Sequence, residues 1–108
     1  MSRQLTLRQL KYFVAVAEEL NFRRAAERLF ITQPPLSRQI QMLEEAVGAR
    51  LLDRDRRGVR LTEAGERFLA DARALLRESE HVVRRVKPSG AADERPRLRV
   101  GITTVVDV

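Results

Sequence analysis

The 108 residues contain no cysteine and a single histidine, His81. Without cysteine there is neither a disulfide nor a thiol nucleophile, and a reducing compartment suits the chain. No apolar run approaches the roughly 18–20 residues needed to span a bilayer, and the N-terminus lacks the pattern of a secretory signal. The cytoplasm is the expected location, and a membrane is not an expected partner. Residues for catalysis are equally scarce. His81 lies off the apolar seam of a charged segment. Glu18-Glu19 and Glu44-Glu45 are adjacent pairs, which point in different directions on a helix and suit solubility better than acid–base work. There is no glycine-rich phosphate loop, metal-ligand cluster or nucleophile arrangement. An enzyme is therefore not expected, nor is a metal or cofactor.

Positive charge is plentiful. The formal net charge is +6, with 21 Lys/Arg against 15 Asp/Glu, which favours a polyanionic partner. The excess is uneven: residues 1–60 carry twelve Lys/Arg against seven Asp/Glu, and residues 61–108 nine against eight. Hydrophobic residues make up 44% of the chain, enough for one small domain with a modest core.

The basic half is organised around Arg23 to Val47. Ala25, Ala26 and Leu29 form a short apolar face, and Ile31-Thr32 interrupts it. Leu36, Ile40, Leu43 and Val47 then recur at i, i+4, i+7 and i+11, one narrow buried stripe on a second helix. At 100° per residue, Pro34, Ser37, Arg38 and Gln41 fall on the opposite side, in the N-terminal half. A helix-turn-helix that reads DNA inserts that half of its second helix into the major groove. Thr32 is the candidate cap, and Pro34 and Pro35 sit in a first turn where a missing N–H costs little. The prolines remove donors, which leaves the Thr32 hydroxyl for a phosphate. Arg38 can bridge two acceptors on a guanine edge, and Gln33 or Gln41 can pair with adenine.

Thr6 to Gln9 fits a capping box for a first helix over about 7–20, with Leu7, Leu10, Phe13, Val14, Ala17 and Leu20 on one side, covering the core. Asn21 or Arg23 caps the next helix, near 22–30, where Arg23 and Arg24 oppose the macrodipole. Gly48 stops the recognition helix. Leu51 to Arg54 and Val59 to Thr62 read as two strands around an Asp55-Arg56-Arg57-Gly58 turn. A hairpin directly after a recognition helix is a wing. Arg54, Arg56 and Arg57 on this thin projection suit the phosphate backbone or a narrow minor groove.

Thr62 caps a long helix from Glu63 to about Lys87. Phe68, Leu75 and Val82 repeat every seven residues, as do Leu69, Leu76 and Val83, and the small residues Gly65, Ala72 and Ser79 share the stripe. Such a helix outruns the small core before it, so the seam is expected to pack against a second copy. Gly65 is expected instead to permit close packing on the winged domain. Residues 88–96, bounded by prolines, read as a hinge. Leu98, Val100 and Ile102 alternate with polar or small residues as a lone strand, so residues 97–108 are expected to open a second, truncated domain.

The segments RQLKYFVAVAEE, RAAERLFITQPPLSRQIQMLEE and GARLLDRDRRGVRLTEAGE, with the long helix after them, resemble the N-terminal region of the LysR-type transcriptional regulators over residues 5–87. Leu98 to Thr103 looks like the first strand of that family's effector-binding domain, and QPPLSRQI is similar to the branch regulating aromatic-compound breakdown. The resemblance implies a mainly α fold: a winged helix-turn-helix of three helices and a two-stranded wing over 1–61, then a dimerisation helix over 62–87. It implies a dimer through the linker helices, a tetramer at full length, an interrupted palindrome of double-stranded DNA near promoters, and a small-molecule inducer bound by the missing C-terminal domain. Carried over by position, Gln33, Pro34, Ser37 and Arg38 meet the major groove, and Arg54 and Arg57 serve the wing. Two residues depart from the family: Arg23 replaces the usual Ser or Thr, which puts a cap and phosphate contact in question, and Leu52 replaces the commoner Phe. The competing reading is a coiled-coil protein-interaction module without specific DNA binding, which accounts for Phe68 to Val86 and leaves the arginine wing unexplained.

Overall fold

The computed structural model describes residues 4–87. The expected hinge at 88–96 and the expected strand in 97–108 lie outside the described residues. Six elements follow in order: α1 (Leu7–Glu19), α2 (Phe22–Leu29), α3 (Gln33–Val47), β1 (Leu52–Asp55), β2 (Gly58–Leu61) and α4 (Glu63–Val86).

The first helix starts on the expected capping box. The Gln9 N–H donates to Thr6 Oγ1 at 3.1 Å, and the Thr6 N–H donates to Gln9 Oε1 at 3.0 Å. The Gln9 amide then reaches α3, donating to Gln39 Oε1 at 3.2 Å, so one buried side chain caps one helix and ties it to another. Phe13, Val14, Ala15, Val16 and Ala17 are all buried, because α1 packs against α2, α3 and α4 together. It is therefore the centre of the domain rather than the one-sided cover its apolar spacing implied; Leu7 and Leu20, at its two ends, are exposed.

Asn21, not Arg23, caps α2: its Oδ1 accepts from the Arg24 N–H at 2.8 Å. Arg23 pairs with Glu27 one turn on, at 3.1 Å, so an arginine here costs the helix no cap. Phe30 closes α2 in the left-handed region at φ +61°, and its N–H returns to Ala26 and Glu27, which makes the turn tight. In α3 the predicted stripe is the buried one: Leu36, Ile40 and Leu43 are at most 3% exposed. Gly48 ends the helix at φ +76°, a conformation that favours glycine.

The two strands pair antiparallel with Leu52 opposite Leu61 and Asp55 opposite Gly58, each strand displaced by one residue from the expected span. Asp55 Oδ1 accepts from the Arg57 N–H at 2.8 Å, which shapes the tip. Thr62 caps α4 through the Gly65 N–H at 2.9 Å. Gly65 lies so close to the wing that a Cβ would overlap the Leu51 carbonyl oxygen.

The first half of α4 belongs to this core. The Phe68 ring meets Phe13 edge-on at 5.3 Å between centroids, and Leu69 and Leu76 are half-buried against the same cluster. Ala72 corrects an expectation. It is 0% exposed within the single chain, so its own domain covers it and leaves no surface for a second copy. Beyond it Leu75, Val82, Val83 and Val86 are exposed, while the half-buried Ser79 turns its hydroxyl to the Leu76 carbonyl at 2.8 Å.

Candidate nucleic-acid interface

Burial of Leu36, Ile40 and Leu43 rotates the opposite face of α3 outward. Gln33, Pro34, Arg38 and Gln41 are exposed, Ser37 is half-buried, and Thr32 is exposed with no side-chain capping bond. The Thr32 hydroxyl is thus unspent by the helix. Among the described residues Arg38 makes no ion pair, and neither do Arg56 and Arg57 at the wing tip.

The wing and the recognition helix flank one cleft of about 310 Å³. Ser37 and Gln41 line it from α3, and Arg50 and Arg54 line it from the wing side. Arg54 does not project freely: its guanidinium stacks on the Phe22 ring at 4.0 Å from the centroid, and that ring is itself buried. The structure therefore brings Ser37, Gln41 and Arg54 to one concave surface and places Arg56 and Arg57 out on the hairpin end. Val82 and Val83, expected to hold a second copy, lie far along α4 and have no part in this surface.

Sequence reasoning missed three participants. Glu44 bonds the start of the wing, Phe22 supports Arg54, and Arg50 lines the cleft. No local pattern marks any of them, because each depends on a neighbour from another element. The Glu18-Glu19 pair likewise has tertiary partners. Glu18 bonds Arg28 at 2.6 Å and Arg73 at 2.8 Å, and Glu19 bonds Arg28 at 3.2 Å, so the cluster joins α1, α2 and α4. Hydrogen bonds from Arg73 and Arg28 hold the Glu18 carboxyl below its ordinary 4.5, against an opposing desolvation. No helix among the described residues is long and apolar enough to cross a membrane.

Comparison with known proteins agrees with this geometry. The chain is 54% identical over 102 residues to the uncharacterized HTH-type transcriptional regulator YnfL of Escherichia coli (strain K12), covering 93% of this chain and 33% of that protein. It thus spans about a third of the length of that relative. The CbnR DNA-binding domain in its DNA complex superposes with a TM-score of 0.74 at 48% identity, over 83% of this chain and all of that one. The BenM DNA-binding domain on catB site 1 DNA gives a TM-score of 0.74 at 45% identity, over 84% of this chain and 100% of that one. Residues 7–66 match the bacterial regulatory helix-turn-helix proteins of the lysR family, and with the winged fold and the outward face of α3 this makes the chain a member of the LysR family.

Proposed function

We propose that this chain is the DNA-reading segment of a transcriptional regulator that recognises an interrupted palindrome of double-stranded DNA. The observation that carries the reading is the shared cleft. Ser37 and Gln41 of α3 and Arg54 of the wing line one concavity, while Pro34 and Arg38 line a separate hollow on the same helix, which supports base contacts from α3 with backbone or minor-groove contacts from the wing. Gln33, Pro34, Ser37, Arg38 and Gln41 are assigned to the groove, Thr32 to a phosphate, and Arg54, Arg56 and Arg57 to the wing's contacts. Residues 1–61 act as the reader and 62–87 as the link to a second copy through Leu75, Val82 and Val83, flanked by Phe68, Leu69, Leu76 and Ser79. Residues 88–96 are the hinge and 97–108 the start of an effector domain that binds a small-molecule inducer. The full-length protein works as a dimer or tetramer in the cytoplasm and catalyses no reaction. The coiled-coil module without specific DNA binding is set aside, because similar solved domains are held on DNA.

A footprint tests the reading. The chain is expected to protect two spaced half-sites in promoter DNA and to leave a scrambled duplex of equal length unprotected. Equal protection of both duplexes rejects it.

A further inference from the structure

The junction between recognition helix and wing is built on one carboxylate. Glu44, in the last turns of α3, is half-buried. Its Oε2 accepts the Leu51 N–H at 2.8 Å and the Leu52 N–H at 3.1 Å. Both residues anchor the entry to β1, with side chains no more than 3% exposed. A charged acceptor shared by two backbone donors makes bonds roughly twice as strong as neutral ones. From the opposite side, Thr62 Oγ1 donates to the Arg50 carbonyl at 2.7 Å and the Thr62 N–H donates to the Leu51 carbonyl at 3.0 Å. The segment Arg50 to Leu52 is thus gripped by α3 on one side and by the start of α4 on the other. Glu44 also lines the cleft between Ser37 and Gln41 on one wall and Arg50 and Arg54 on the other.

We propose that Glu44 is a positioning residue for DNA binding: its carboxylate fixes the wing relative to the base-reading face of α3, so that both engage one duplex at once. The proposal rests on the DNA-reading function above. The role assigned to Glu44 is exerted through the backbone of Leu51 and Leu52. A wing held in register is already placed when α3 docks, so its contacts add to binding as intramolecular ones. A wing released from α3 loses that advantage although its arginines are intact.

The test is a double-mutant cycle on the full 108-residue chain, with a duplex that the chain itself selects from a randomised pool. In the wild-type background Arg57→Ala is expected to weaken binding about tenfold. In Glu44→Met, which keeps length and helix propensity but removes the acceptor, the same change is expected to cost less than about threefold. Glu44→Gln keeps an acceptor and should restore the larger cost. Glu45→Met, at an exposed neighbour, should leave it unchanged. An Arg57→Ala cost that is equal in the wild-type and Glu44→Met backgrounds overturns the proposal. A wild-type chain that does not prefer its selected duplex to a scrambled one overturns the DNA reading instead. If Glu44→Met does not fold, amide exchange in the wild type decides. Leu51 and Leu52 amides as protected as the β1–β2 ladder support the clamp, and amides as labile as those of the Arg56-Arg57 turn reject it.

Discussion

Arg38 and Glu18 are both charged side chains near the surface, and they are used in opposite ways. Arg38 has no acidic partner among the described residues, so its fork is free to meet a guanine edge. Arg38→Ala should weaken specific binding by ~1–3 kcal/mol and relax the preference at one base pair. Affinities for the selected duplex and its single-base-pair variants check this, and unchanged specific affinity places Arg38 off the groove. Glu18 is spent inside the molecule, with two arginines holding its folded-state carboxyl below 4.5. Because that value is depressed on folding, the unfolded chain takes up the proton more readily, and the network's stabilisation is complete above the ordinary carboxylate value. It disappears as the pH falls through the folded-state value. Glu18→Gln should therefore melt below the wild type at neutral pH, and the two melting temperatures should converge on acidification. A gap independent of pH would mean that the charge of Glu18 contributes nothing to the junction.

At the scale of elements, the root of α4 is set by close approach. A Cβ at Gly65 would overlap the Leu51 carbonyl oxygen and lie 3.1 Å from the Leu61 side chain. Gly65→Ala should therefore cost about 1–3 kcal/mol of stability through overpacking, despite the better helix propensity of alanine. Chemical denaturation measures it, and a stabilised variant would mean that the wing yields easily. This packing was legible in part. The position of Gly65, early in a helix that follows a hairpin, pointed to close contact with the winged domain, and the capping box at Thr6, the stripe on α3 and the glycine after Val47 are local signals that tertiary structure left intact. Ala72 was misread for a physical reason. A seven-residue spacing gives a stripe but not the identity of what covers it, and the same period serves a helix folded on its own core or packed on another. Glu44 and Glu18 were illegible for a related reason. Their partners lie 7 and 8 residues away for Glu44, across the helix end, and 10 and 55 residues away for Glu18. The helix ends at Gly48, between Glu44 and its partners, and the partners of Glu18 lie on α2 and α4, so a helical period, which holds only within one helix, does not relate them.

At the scale of the whole molecule, the question is how one short reader becomes a specific one. A single winged domain meets one half-site, and joining two makes the second contact effectively intramolecular. Leu75, Val82 and Val83 are 48%, 44% and 55% exposed, on the side of α4 that its own core does not cover. Burying a large apolar side chain contributes ~1.5–3 kcal/mol, so several per copy suffice for association. Leu75→Glu should leave the single domain folded, because the position already meets water, and should place facing carboxylates in the joined form. Analytical ultracentrifugation is expected to find a monomer that binds the full palindrome about as weakly as one half-site. A Leu75→Glu chain that stays dimeric with full-site affinity would remove α4 from the role proposed for it. The burial of Ala72 has a consequence for geometry as well as for partners. From that last buried residue to Val86 the helix continues for roughly 21 Å at about 1.5 Å per residue, a lever whose fulcrum is inside the reader. A tilt of about 10° at the fulcrum moves the far end by roughly 3.6 Å, close to the ~3.4 Å rise of one base pair. In the proposed dimer, a stiffer helix root would therefore permit less variation in the gap between half-sites.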